Sequence, residues 1–154
     1  MAYYSNIKDL FDAAESKIEN ILVNYVSPVA DDIVHKHIVD DIYGAYSPVG
    51  AAGYGYERRG QLASEDNIQN YIVGDNELLV TNEAEPSPSI WNDNSGGEPD
   101  RLLYWIEYGL VPNYFNYNDY PWMHSRPAIQ NAQEEINTSD KIADAIQTGI
   151  DAEI

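Results

Sequence analysis

From Ile7 to Tyr25 the apolar residues recur at three- and four-residue spacings: Ile7, Leu10, Phe11, Ala14, Ile18, Ile21, Leu22 and Tyr25. That period puts all of them on one face of a helix, and a stripe of this kind needs another element to bury against. Ser5 or Asn6 is placed to cap the start. Asp9, Asp12, Glu15 and Glu19 fall on the other side, balanced only by Lys8 and Lys17. Ser27-Pro28 fits a cap followed by proline in the first helical position. The run through Val29, Ile33, Val34, Ile38 and Ile42 therefore starts a new helix or continues after a bend, and Gly44 stops it.

The remaining punctuation predicts an α+β domain: a long N-terminal helix over residues 6–25 packed on a small antiparallel β-sheet, with C-terminal helices and long interface loops. A length of 154 residues suits a single domain. Its helical N-terminal part ends at residue 44, and a Tyr- and Gly-rich loop follows over 45–67. Ile68–Val73 and Leu78–Thr81 flank Gly74-Asp75-Asn76-Glu77, which predicts a β-hairpin over 68–82. A Pro-rich polar loop covers 83–99, a short helix 100–109, and an aromatic loop 110–124. Arg126-Pro127 opens the C-terminal helices of 126–152, with Thr138 or Ser139 recapping the second of them. Loops beyond about 12 to 15 residues are generally functional or disordered, and here they carry much of the tyrosine, a favoured interface residue.

Net charge is −18. Residues 1–77 hold 5 basic and 13 acidic side chains and residues 78–154 hold 3 and 13, so the net −8 and −10 are spread along the chain rather than gathered in a tail. Such a surface repels nucleic-acid phosphates, which excludes ordinary DNA binding while suiting a surface past which DNA slides. With no Cys there is neither a disulfide framework nor a thiolate metal site. The N-terminus lacks the basic and apolar regions of a signal peptide, and no apolar run approaches the ~20 residues of a membrane span. The expectation is a soluble chain made in a cytoplasm, with no membrane partner.

Few side chains point to chemistry. Arg58-Arg59 is the only adjacent basic pair, and a guanidinium fork suits carboxylates of its own sheet or of a neighbouring subunit. Glu107 invites reading as a general acid, but catalysis needs a positioned second group and no other motif supplies one. A partner for a basic side chain near a helix end, Arg58, Arg59 or Arg126, is the better reading. His35 and His37, two apart on a helix, point about 200° from each other and suit shared metal ligation poorly, while His124 stands alone. All three read as solvated or capping groups. Asn92–Glu98 misses the spacing of a calcium loop, and Gly53-x-Gly55 with Gly60 makes no dinucleotide fingerprint. The chain is therefore expected to be no enzyme and to carry no cofactor or metal.

Three short motifs occur in order: Tyr56-Glu57-Arg58-Arg59-Gly60-Gln61-Leu62, Tyr104-Trp105-Ile106-Glu107-Tyr108-Gly109, and Ser125-Arg126-Pro127-Ala128 at a helix start. In this order, with a hairpin and a long loop between them, they resemble the tail-completion or neck (head-tail joining) proteins of tailed bacteriophages. Those proteins share a long N-terminal helix, an Arg-containing loop ending in Gly-x-Leu, a small sheet, an Ile-Glu-x-Gly helix end and an Arg-Pro helix start. The likeness implies a virion structural protein at the neck or tail top, assembled in the host cytoplasm as a homo-oligomeric ring of six or twelve copies. It also implies contacts to connector or stopper proteins and to tail-terminator proteins, with DNA passing through the ring unbound. Arg58, Arg59, Glu107 and Arg126 are candidate interface residues on this basis. The aromatic loop adds Tyr114, Phe115, Tyr117, Tyr120 and Trp122, set too densely for one small core. Two positions depart from the pattern: Ala128 stands where a bulky apolar residue is usual, and the loop after Ile-Glu-x-Gly is tyrosine-rich rather than glycine-rich. An acidic DNA mimic that inhibits a nucleic-acid-binding host protein is the alternative reading; a glycan-hydrolysing tail component is a distant third.

Overall fold

The structure is a computed structural model that describes residues 6–45, 60–74, 76–84, 102–108 and 125–153. Arg58, Arg59, the five aromatic candidates of 114–122, His124 and the Asn92–Glu98 segment lie outside the described residues, as do most of the three long loops.

The described part is α+β. Helix α1 spans Ile7–Ile21, and the Asn6 side chain accepts the Asp9 N–H at 2.9 Å, the expected cap. The chain does not break at Ser27-Pro28. It widens to π-type turns over Leu22–Val26, with the Ser27 N–H reaching back five residues to the Leu22 carbonyl, and runs on as α2 over Ser27–His37. A proline inside a helix has no N–H to give and its ring crowds the carbonyl four residues back; the widened turn directly before Pro28 relieves that conflict. A second π-type stretch, Ile38–Tyr43, carries the rod to Gly44, whose N–H bonds Val39 O at 2.7 Å.

Strands β1 (Ile68–Val73) and β2 (Glu77–Asn82) form the expected antiparallel hairpin, in register Ile68↔Asn82 to Val73↔Glu77. One face, with Ile68, Leu78 and Val80, meets the helices. Helix α3 (Leu102–Tyr108) is followed by α4 (Ala128–Thr138) and α5 (Lys141–Glu153). Neither expected hydroxyl recaps α5: Thr138 Oγ1 donates to Glu134 O at 2.7 Å, and Ser139 Oγ is buried without a partner.

The main core lies under the second half of the long helix. Ile33 and Ile38, 1% and 0% exposed, pack with Val34, Ile42, Leu62, Ile68 and Ala84, against Ala128 and Ala132 of α4. The two alanines, four apart, present a smooth strip that lets α4 lie close on α2. Ala128, small where a bulky residue is usual, is completely buried there.

The long N-terminal helix meets the small sheet as expected, but chiefly through its second half, α2, and the Ile7–Tyr25 stripe itself is largely uncovered. Of α1, only Ile21 is buried, in a second cluster with Val26 and Ala145 that Leu78 and Ile142 flank. Ile7 and Phe11 are 75% and 66% exposed, and Leu10 and Ile18 are exposed as well. Two strands are narrow, and α2 already occupies them; α1 packs instead on the single helix α5.

Candidate functional site

Glu107 and Arg126, the two described members of the candidate set, come together where the end of α3 meets the start of α4. Both are 7% exposed. Ile106 O accepts the Arg126 N–H at 3.0 Å, and Ser125 Oγ donates to Glu107 O at 2.5 Å. The Glu107 carboxylate then reaches the first turn of α4. Oε2 accepts the Ile129 N–H at 3.0 Å, and Oε1 accepts the Gln130 N–H at 2.9 Å.

The chemistry of this joint is capping. A helix start leaves backbone N–H groups without partners, and Pro127, at the cap position, has no side-chain acceptor to offer. A carboxylate there satisfies two donors and meets the positive end of the helix dipole. The cap comes from a residue 22 positions upstream, so no local capping pattern reveals it. The separate Ile-Glu-x-Gly and Arg-Pro motifs are thus two halves of one joint. Glu107 was expected to meet a basic side chain; its two oxygens meet backbone amides instead.

The Gly-x-Leu motif also proves architectural. Gly60 has φ +71°, the left-handed region that a residue with a Cβ rarely adopts, and it turns the chain so that Leu62 enters the core. Asn82 Nδ2 holds Leu62 O at 2.9 Å, Asn67 Nδ2 holds Gln61 O at 2.7 Å, and His35 Nε2 donates to Ala63 O at 3.0 Å. The turn is therefore tied to both hairpin and α2.

A polar cluster that the sequence reading missed joins α2, α4 and α5. Glu135 accepts from Lys36 Nζ at 2.6 Å, Lys141 Nζ at 2.7 Å and His37 Nε2 at 3.0 Å. The hydrogen bond from Lys141 above all, then those from Lys36 and His37, hold its carboxyl down to about 2. Glu135 in turn raises Lys36. His37 Nδ1 meets Asp41 Oδ2 at 2.8 Å, and that oxygen also accepts from Asn131 Nδ2 at 3.0 Å. Of the solvated or capping roles expected, His35 takes the capping one, on the carbonyl that ends the Gln61–Ala63 turn, and His37 is not solvated but ties α2 to α4. Partners 98 and 99 residues apart leave no linear signal.

Helix and sheet share one further polar tie. Asn70 Nδ2 of β1 donates to both carboxylate oxygens of Asp31, at 2.9 and 2.7 Å. Burial pushes the Asp31 carboxyl up, the Asn70 hydrogen bond offsets part of this, and neighbouring Asp32 adds to the rise. On the outer face of the hairpin, Tyr71 donates its hydroxyl to Glu83, and Tyr71, Val73 and Leu79 stand exposed.

These groups cap and brace. Among the described residues, no group of three or more His, Asp or Glu is arranged to hold a metal, and no helix is long and apolar enough to cross a membrane. No curated protein and no solved structure matches the chain. The YomN family model matches residues 6–152, nearly the whole chain, and the protein belongs to that phage-derived family, of the kind carried by SPβ-like prophages of Bacillus.

Proposed function

We propose that this chain is a virion structural protein of the phage neck, forming a ring between head connector and tail that contributes to the DNA channel and to head-tail joining. The observation that carries the reading is the phage-derived family match over residues 6–152, joined to the ordered motif set that resembles tail-completion proteins. The buried Glu107–α4 joint and the Gly60–Leu62 turn support it, since both motifs serve as architecture. So does the charge of −18, because a channel wall that lets DNA through should repel phosphate.

In this reading Arg58, Arg59 and the aromatic residues Tyr114, Phe115, Tyr117, Tyr120 and Trp122 supply contacts to neighbouring copies or rings. An acidic ring needs some cationic groups to offset repulsion between its own subunits. The test is electron microscopy of particles carrying a tagged copy of the chain, labelled with gold. Label at the head-tail junction is the expected result. Label elsewhere on the tail, or none on purified particles while the free chain inhibits a host DNA-binding protein, overturns the reading, and the second result selects the acidic mimic.

A further inference from the structure

Helices α1 and α5 run antiparallel: Lys17 Nζ donates to Glu153 O at 2.5 Å, Ile21 lies against Gly149, and Val26 clusters with Ala145. The pair is close because Gly149 has no side chain. A Cβ there would stand 2.8 Å from Ile21 Cγ2, inside contact distance. Close pairing leaves an open groove of about 450 Å³ along one side of the two helices. Leu10, Ala14, Ile18 and Leu22 form one wall, and Ile146 and Ile150 the other. The large members at its mouth, from Ile150 at 36% to Leu10 at 46%, are exposed.

We propose that this groove takes one amphipathic helix from a different protein, with a basic flank on each side of its apolar stripe. The shape fits a third helix. Wall residues at positions 10, 14, 18 and 22 line about three turns, roughly 18 Å at 1.5 Å per residue, the usual footprint of helix-in-groove recognition.

The rims choose the occupant. Helical spacing places Glu15 and Glu19, each one residue after a wall residue, beyond the α1 wall and Asp151, which also accepts from Gln147 Nε2 at 2.8 Å, beyond the α5 wall, and all three are exposed. Of the cations nearby, Lys8 pairs with Asp12 at 3.0 Å, while Lys17, at the floor of the groove between the walls, is turned onto the Glu153 carbonyl and away from the two acidic rims. A guest helix with Lys or Arg beside its apolar stripe thus meets opposite charge on both sides. A second copy of this chain seated groove to groove would set the same acidic rims against each other. The inference stands independently of the neck reading.

The experiment uses the full chain and two fluorescent peptides of about 18 residues with identical Leu stripes, one flanked by Lys and one by Glu. Anisotropy titrations are expected to show the Lys-flanked peptide binding at least ~10-fold more tightly, and weakening as salt rises from about 50 to about 500 mM. Ile18→Asp and Ile150→Asp, at exposed positions that should stay folded by circular dichroism, are expected to abolish binding. Each adds negative charge, so attraction to a merely acidic surface would strengthen instead. Equal binding of both peptides, no binding of either, or undiminished binding to the two variants overturns the proposal. So does self-association of the wild type that Ile18→Asp abolishes, which would assign the groove to a second copy.

Discussion

The two halves of the N-terminal helical rod have the same period and opposite fates. In α2 and the turns after it, Ile33, Val34, Ile38 and Ile42 are buried under hairpin and α4. In α1 the stripe is at least as regular, yet Ile7, Leu10, Phe11 and Ile18 stand exposed and only Ile21 is buried. An apolar stripe says which face of a helix seeks cover, not whether the domain holds enough other surface to provide it. Here the hairpin and α4 are spent on α2, and α1 is left with one narrow helix.

The largest effect should come from the buried half. Ile38→Ala is expected to destabilise the chain by about 2–5 kcal/mol in denaturant unfolding, since the side chain is fully buried and its cavity cannot collapse onto solvent. A loss well below this would mean that α2 is no better covered than α1. The joint that brings α4 onto α2 comes next. Glu107→Ala removes the acceptor for two amides and should cost about 1–2 kcal/mol, near the upper end for a helix cap. Unchanged stability would show that water caps α4 equally well.

The Glu135 cluster gives a smaller effect that pH sharpens. Its carboxyl is held at about 2, below the ordinary 4.5, so its contribution is present in full above 4.5 and fades as pH falls through about 2. Glu135→Gln should therefore be less stable than the parent at neutral pH, with the gap closing as the solution is acidified from 4.5 toward 2. A gap that does not change over that range would dissociate Glu135 from its lysines. Smallest of all, Ile18→Ala should shift stability by no more than about 0.5 kcal/mol, as at other exposed sites. A loss as large as that of Ile38→Ala would break the comparison outright and show that α1 is covered in solution.

Much of the fold was legible wherever the cause was local. The Asn6 cap, the apolar periods on both sides of Pro28, the stop at Gly44, the Gly74 turn of the hairpin and the Arg-Pro helix start each depend on a few adjacent residues. The path through Pro28 was not, because whether a proline breaks a helix or is absorbed by a widened turn depends on the packing of both flanks. The candidate site was legible as motifs but not as a joint. Glu107 and Arg126 could be singled out from Ile-Glu-x-Gly and Arg-Pro, whereas the contact of Glu107 with the amides of Ile129 and Gln130 closes over a stretch of chain that carries no period.

By itself, then, the sequence determined the elements, their polarity and the acidic surface, since φ restrictions, helical period and charge are properties of short stretches and of composition. Only the tertiary structure decided which apolar face is covered, what caps α4, and that Lys36, His37 and Lys141 share one carboxylate. Those outcomes depend on which surfaces compete for the same limited cover and on groups about a hundred residues apart meeting at hydrogen-bond distance, and neither is encoded in any local spacing.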